Sequence, residues 1–126
     1  MNFPDKLKYT RDHEWLRIEG EEAVIGITAY AQKELGDIVF VDIYVEGETL
    51  SAGDKFGAIE AVKTVSDLFM PVSGTVLEIN PLLESAPETI NKDPYGEGWM
   101  IRIHLTDLVE LDGLMSASVY EAFTKE

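Results

Sequence analysis

The chain has 126 residues and a mass of 14.1 kDa, which predicts a single domain spanning residues 1–126. Ten lysines and arginines against 24 aspartates and glutamates give a net charge of −14, which argues against DNA or RNA binding because phosphates need cationic cover. The charge also disfavours anionic membrane surfaces, and no apolar run predicts a transmembrane helix. The absence of cysteine excludes disulfides, thiol nucleophiles and cysteine-ligated zinc.

Alternating apolar and polar residues dominate the first half of the chain and predict β-strands. The turn at Gly20 separates the first two strands, and the strongest signal follows over 37–46. Thr28 is placed to cap a short helix over 29–35, and Gly36 is placed to end it. The expected strands of this half lie at 15–19, 23–28 and 37–46.

The second half begins with two apolar segments, 55–62 and 65–70, that only Lys63 and Thr64 separate. This spacing predicts a hairpin with Lys63 near its tip. The remaining expected elements are strands at 75–80 and 99–105, helical turns over 81–90, a surface loop over 91–98, a helical turn that Thr106 caps, and a C-terminal helix opened by a Ser118–Glu121 capping box. Short strands with turn signals between them indicate a mainly β sandwich or barrel.

Lys63 is the first candidate functional residue. An exposed lysine on a rigid hairpin suits a covalent cofactor carrier, because the protein provides a handle and the cofactor provides the chemistry. From spacing alone, an ordinary solvated turn lysine is the simpler interpretation. A Schiff-base lysine is disfavoured, because the nearby carboxylates of Glu60 and Asp67 favour the ammonium form.

A second candidate is the sequence His13-Glu14-Trp15, in which a histidine beside a carboxylate suggests acid–base chemistry. Adjacent residues of a strand point to opposite faces, so the two groups need not cooperate. From the residues alone, a strand entry with one buried aromatic side chain is the favoured interpretation. With only His13 and His104 in the chain, a histidine-rich metal site is not expected.

Several sequence blocks together resemble the H protein family of the glycine cleavage system. The HEW, AQ-x-x-LGD and DPYG-x-GW blocks are highly specific, and the resemblance covers nearly the whole chain. The matching blocks are Lys8-Tyr9-Thr10, His13-Glu14-Trp15, Ile25-Gly26-Ile27-Thr28, Ala31-Gln32, 35–41, 57–63, Ser66-Asp67, 71–74, Asn80, 91–96 and Gly98-Trp99-Met100.

The resemblance implies a flattened two-sheet barrel-sandwich hybrid with a lipoyl/biotinyl-like hairpin core, short helices and a C-terminal helix. It implies a non-catalytic, monomeric carrier in which Lys63 bears lipoate in amide linkage. Such a carrier takes an aminomethyl group from glycine decarboxylase (P protein) to aminomethyltransferase (T protein), and dihydrolipoyl dehydrogenase (L protein) then reoxidises it. A lipoate-attaching enzyme is the fourth expected partner.

The resemblance also suggests roles for three carboxylates. Glu14 lies in the HEW block and is the first candidate to hold the cationic cargo, and Asp67, close to Lys63 in sequence, is the second. Glu60 lies on the same hairpin as Lys63 and is a candidate determinant for the lipoate-attaching enzyme.

Other lysine carriers fit less well. Lipoyl domains of 2-oxoacid dehydrogenases commonly have Asp-Lys-Ala, and biotin carriers have methionine on both sides of the lysine, whereas this chain has Val62-Lys63-Thr64. An H-like lipoate-relay or regulatory protein remains an open alternative. Because a Met stands shortly before the first matching block, a bacterial cytoplasmic protein is expected, and a mitochondrial matrix protein only if a transit peptide has been removed.

Overall fold

The computed structural model describes residues 3–125, in which two antiparallel sheets face each other. The nine strands are β1 (Lys8–Tyr9), β2 (Glu14–Glu19), β3 (Glu22–Ile27), β4 (Ile38–Asp42), β5 (Thr49–Leu50), β6 (Lys55–Ala61), β7 (Val65–Phe69), β8 (Gly74–Ile79) and β9 (Ile101–Leu105). The larger sheet has the order β1-β2-β3-β9-β8-β5 and the smaller one β4-β6-β7. Within residues 3–125 the two sheets remain separate and do not close into one barrel.

The helices are short and lie at the ends and edges of the sheets. They are α1 (Ala29–Leu35), α2 (Leu82–Ser85), α3 (Thr89–Lys92), a 3-10 helix (Leu108–Gly113) and α4 (Ala117–Thr124). In the described part of the chain, no helix is long and apolar enough to cross a membrane.

The main core fills the space between the two sheets. Strand periodicity turns Leu16, Ile25 and Ile101 of the larger sheet inward, where they join Ile59 and Leu68 of the smaller sheet. A second cluster is built from aromatic side chains and α4, and it contains Phe3, Tyr9, Trp15 and Tyr120. The prediction of a mainly β, two-sheet fold with short helices is therefore confirmed.

The expected caps of α1 are present. The Thr28 hydroxyl accepts a hydrogen bond from the Ala31 N–H at 3.1 Å, and Gly36 ends the helix with a φ of 79°. A left-handed residue at this position favours glycine because a Cβ would be strained there.

The strongest predicted strand is shorter than expected. It ends at Asp42 rather than at residue 46, and a register irregularity lies between Ile38 and Phe40. The pattern of 37–46 predicts one face with Val39 and Val41 and a second with Ile38 and Phe40, but Ile38 is buried and Val39 is half exposed, so that alternation is wrong at the start of the strand. A bulge adds a residue to one strand and reverses the pleat, which residue spacing does not reveal.

Two helix caps differ from the prediction. Asp107, not Thr106, caps the 3-10 helix by accepting from the Val109 N–H. Ser116, not Ser118, caps α4 by accepting from the Val119 N–H. At the start of each of these two helices, two nearby side chains are able to cap, and packing of the helix selects between them.

The segment predicted as a surface loop at 91–98 is more ordered than expected. Asn91 lies in α3, and Gly98 is buried. The Pro94 carbonyl accepts from the Trp15 indole N–H at 2.9 Å, and the Tyr95 hydroxyl accepts from the Ala29 N–H at 2.9 Å. The turn-forming residues were identified correctly, but these long-range contacts have no local sequence signal.

Strands β1 and β5 were not predicted. Each has two residues, too few for a periodic pattern. Both form by pairing at the edges of the larger sheet, so their existence depends on partners distant in sequence.

Candidate functional site

Lys63 lies at the exposed tip of the β6–β7 hairpin, as predicted. The Ala61 N–H donates to the Thr64 carbonyl at 2.8 Å, which leaves Val62 and Lys63 between them. The Val62 N–H donates to the Asp37 carbonyl at 3.0 Å and ties the tip to the segment before β4. The lysine is thus an exposed side chain on a hairpin tip that backbone hydrogen bonds hold in place.

Glu60 is exposed on the central strand of the smaller sheet, three residues before the lysine. Its register partners are Phe40 on β4 and Val65 on β7, so the three side chains form one row across the outer face. Phe40 and Val65 are 46% and 64% exposed. An acidic side chain therefore stands between two exposed apolar ones beside the lysine.

A cavity of about 380 Å³ lies beside the hairpin. Three elements form its walls: the segment entering β2, helix α1, and the edge strand β7. We call this cavity the cleft. It is lined by Asp12, His13, Glu14, Ile27, Tyr30, Ala31, Glu34, Leu35, Ser66, Asp67, Leu68 and Phe69.

The lysine and the cleft are neighbours. A Cβ at Gly36 would lie 3.9 Å from Cε of Lys63. Gly36 directly follows Leu35, which lines the cleft, and Ser66, another lining residue, follows Lys63 by three positions. A group attached to the amine therefore starts next to the cleft.

Glu14 is buried in the cleft wall and is 3% exposed. Its Oε1 accepts from the Thr10 hydroxyl at 3.4 Å, while Oε2 has no hydrogen-bond partner within residues 3–125. Burial, and after it the nearby Asp12 carboxylate, raise the pKa of this carboxyl to about 8. The Thr10 hydroxyl, and the Phe69 N–H nearby without forming a hydrogen bond to Oε2, oppose the rise by stabilising the anion.

Asp67 lines the same cleft, so the structure brings the two predicted carboxylates together. Their surroundings differ, however. Asp67 is exposed, and its Oδ1 lies 3.2 Å from the Lys55 ammonium, a partner that sequence reasoning did not anticipate. Glu14 is consequently the carboxylate with an unsatisfied oxygen.

His13 and Glu14 both line the cleft, but their side chains have different partners. His13 Nδ1 lies 2.7 Å from the Tyr120 hydroxyl, whereas Glu14 contacts Thr10. The structure therefore gives no direct histidine–carboxylate pair for the acid–base hypothesis. Thr10 and Tyr120 were not predicted as site residues, because their positions in a turn and a C-terminal helix carry no signal for contact with the cleft.

A metal centre has no support in the described chain, since residues 3–125 contain no group of three or more histidines or carboxylates able to hold an ion.

The glycine cleavage H-protein family model matches residues 7–126. A glycine cleavage system H protein from Bacteroides fragilis is 61% identical over 122 residues, which are 97% of each chain. One from Brevibacillus brevis is 53% identical over 126 residues and 100% of both chains. The crystal structure of a glycine cleavage system H protein from Mycobacterium marinum superposes with a TM-score of 0.89 at 41% identity, covering 98% of this chain and 100% of the other. The chain belongs to the glycine cleavage H-protein family.

Proposed function

We propose that this single-domain protein is the lipoyl carrier of a glycine cleavage system and that Lys63 is the attachment residue. The observation that carries the proposal is the exposed lysine on the hairpin tip beside a cleft with a buried, half-satisfied carboxylate. Lys63 forms no ion pair with any residue of the described chain, so amide formation, which removes its charge, breaks none. The protein itself acts as a carrier and not as a catalyst.

When attached, the dithiolane of lipoate supplies the redox-active sulfurs that accept an aminomethyl group with P protein, release it with T protein and are reoxidised with L protein. The residues of this chain do the remaining work. The hairpin holds the arm at one place, which raises its effective concentration at each partner's active site. The bacterial relatives support a cytoplasmic location.

Glu14 is proposed to bind the amine of the cargo. Its Oε2 is buried without a partner in the described chain, the carboxylates of Asp12 and Glu34 line the same cleft, and no lysine or arginine occurs among the described lining residues. A cation entering the cleft satisfies Oε2 and stabilises the ionised form of Glu14, lowering its pKa. Docking of the loaded arm in the cleft also reduces the access of water to the bond between the carbon and the amine.

Asp67 is proposed as a second, weaker contact to the cargo. Its exposure and its ion pair with Lys55 both reduce the free energy it contributes, because solvent screens the charge and the partner competes. The contact forms when the incoming amine displaces the Lys55 ammonium from the Asp67 carboxylate.

Glu60 is proposed as the determinant for the lipoate-attaching enzyme. Its charge stands between the apolar side chains of Phe40 and Val65, three residues before Lys63. A partner with a basic group inside an apolar rim would match this row and position the lysine amine.

The test is lipoylation of the full chain with lipoate, ATP and a lipoate ligase, followed by intact mass and peptide mapping. We expect one lipoyl amide, on Lys63. Lys92, which is also exposed, is the internal control and stays unmodified. An unmodified Lys63, both in this reaction and in protein from the native host, would contradict the proposal.

The alternative is an H-like protein that relays lipoate or regulates other enzymes. Glycine–bicarbonate exchange with P protein separates the two functions, because a shuttle supports the exchange and a relay protein does not. Lipoylation without exchange would favour the relay.

A further inference from the structure

A chain of hydrogen bonds connects helix α4 with two walls of the cleft. The Ala31 N–H donates to Thr28 Oγ1 at 3.1 Å, and Thr28 Oγ1 lies 2.8 Å from the Tyr120 hydroxyl. The Tyr120 hydroxyl in turn lies 2.7 Å from His13 Nδ1. Thr28 caps α1 and His13 directly precedes Glu14, so one hydroxyl of α4 contacts both sides of the site.

The burial of Thr28 determines the direction of these hydrogen bonds. Its side chain is fully buried, and its oxygen already accepts from the Ala31 N–H. The hydroxyl proton needs an acceptor, and Tyr120 is the acceptor it contacts within the described chain. Tyr120 therefore accepts from Thr28 and donates its own proton to His13 Nδ1. The opposite direction would leave the Thr28 proton buried and unpaired.

We infer that Tyr120 is a positioning residue of the cleft, which holds the His13 imidazole as the neutral Nε2–H tautomer. Nδ1 is occupied as an acceptor, so it cannot carry a proton unless the whole chain of hydrogen bonds rearranges.

The backbone at His13 supports a specific role for this contact. His13 has a φ of 65°, and every other described residue with positive φ is a glycine. Its carbonyl accepts from the Thr28 N–H at 3.0 Å, so the backbone of His13 is fixed to Thr28 and its side chain to Tyr120, two residues that are hydrogen-bonded to each other. A left-handed histidine persists only where such contacts maintain it.

The consequence for function rests on the proposed binding of a cation at Glu14. A protonated His13 would place an internal cation beside that carboxylate and compete with the cargo. Burial lowers the pKa of His13 and exceeds the opposite effect of the carboxylates of Asp12 and Glu34. The charged and titratable groups around His13 come from four elements. They are Asp12 and Glu14 from its own segment, Tyr30 and Glu34 from α1, Tyr120 from α4 and Asp67 from β7. The Arg11 guanidinium lies over the ring of Phe123.

The first test uses the unlipoylated full chain and is independent of the carrier function. Two-bond 1H–15N correlation spectra of the imidazoles report which nitrogen of His13 carries the proton, and exposed His104 serves as an internal reference. We expect the Nε2–H tautomer in the unmodified protein. An Nδ1–H or evenly mixed His13 would overturn the inference without any variant.

The variants are Tyr120→Phe and, as a matched control, Tyr9→Phe. Tyr9 stacks on Tyr120 at 4.8 Å in the same cluster, but its hydroxyl donates to the Pro4 carbonyl and not to the cleft. Tyr120→Phe should give His13 mixed tautomers and an upward shift of its protonation midpoint. Tyr9→Phe should change neither. Equal spectra for the two variants would show that the Tyr120 hydroxyl does not position His13.

The second test uses the lipoylated protein loaded with an aminomethyl group. Tyr120→Phe should shorten the lifetime of the loaded form about fivefold at acidic pH, roughly what one hydrogen bond contributes, and leave it unchanged at alkaline pH where His13 is neutral again. If Tyr120→Phe shortens the lifetime of the loaded form equally at all pH values, the role of Tyr120 is merely structural. If Lys63 accepts no lipoate, the carrier function fails while the tautomer result still stands.

Discussion

At the scale of single residues, Glu14 occupies a position where core packing would normally place an apolar side chain. It is 3% exposed and half satisfied, so burial favours its neutral form. The HEW block makes Glu14 a candidate site residue, and burial beside Asp12 is the physical reason for its raised pKa. Asp67 also has a carboxylate, but that carboxylate is exposed and paired with Lys55 and is not buried.

Replacement Glu14→Gln should shorten the lifetime of the aminomethyl-loaded protein by about tenfold, since the amide keeps the shape but loses a charge-assisted hydrogen bond. The rate of formaldehyde and ammonia release measures this lifetime. Asp67→Asn is the control, and its effect should be smaller because its carboxylate is exposed. An unchanged lifetime in Glu14→Gln would contradict the proposed role.

The same variant has a pH-dependent stability. Folding raises the pKa of Glu14 from 4.5 to about 8, so its contribution to stability is complete below 4.5 and disappears as the pH rises through 8. Glutamine avoids this loss. The difference in free energy of unfolding between Glu14→Gln and the chain with Glu14 should therefore shift in favour of the variant by roughly 3–5 kcal/mol as the pH rises from 4.5 to 9. Denaturant titrations at several pH values measure the difference, and a pH-independent difference would argue against a buried, neutral carboxyl.

At the scale of elements, the β6–β7 hairpin defines where an attached arm begins. Its tip is held by the Ala61–Thr64 hydrogen bond and by the Val62 contact to Asp37, and the strand pairing aligns Glu60 with Val65. The position of the lysine relative to this frame is therefore a property of the hairpin and not of the lysine alone.

We expect lipoylation to be lost when the lysine moves by one position, in the double variant Lys63→Thr with Thr64→Lys. The variant preserves composition and charge, while the amine moves to a different position of the hairpin turn. Intact mass after ligase treatment measures the outcome. Glu60→Gln, with the lysine in place, should slow the reaction without changing the site. Full labelling of the displaced lysine in the double variant would show that exposure is sufficient.

At the scale of the whole molecule, the net charge of −14 favours encounter with basic partner surfaces. Among the exposed acidic residues, Asp12, Glu34 and Asp67 line the cleft, and Glu60 lies on the outer face of the smaller sheet. Approach of a partner to this end of the molecule is thus assisted electrostatically before any contact forms.

The kcat/KM of P protein for the lipoylated carrier should accordingly fall about tenfold as salt rises from about 0.05 M to about 0.5 M. Screening acts on encounter, so kcat at saturating carrier concentration should change little. Steady-state rates at several carrier concentrations separate the two constants. A kcat/KM that does not depend on salt would show that electrostatic steering does not contribute to the encounter.

Local patterns in the sequence were sufficient for much of this molecule. Alternation predicted strands β2, β3, β6 and β7, the Thr28 and Gly36 caps predicted α1, and the spacing around Lys63 predicted the hairpin tip. These features depend on residues within a few positions of each other. The residue pattern alone suggested acid–base chemistry at His13 and Glu14, and the family resemblance was needed to suggest cargo contacts at Glu14 and Asp67 and a lipoylation determinant at Glu60.

Contacts between distant segments required the folded chain. The bulge at the start of β4, the two-residue strands β1 and β5, and the choice of Ser116 as a cap all depend on packing partners far away in sequence. The same holds for the Lys55–Asp67 ion pair and for the contact of Tyr120 with His13, 107 positions apart. Burial sets the pKa of Glu14 and the protonation of His13, and burial arises only when α1, β7 and the entrance to β2 come together around one cleft.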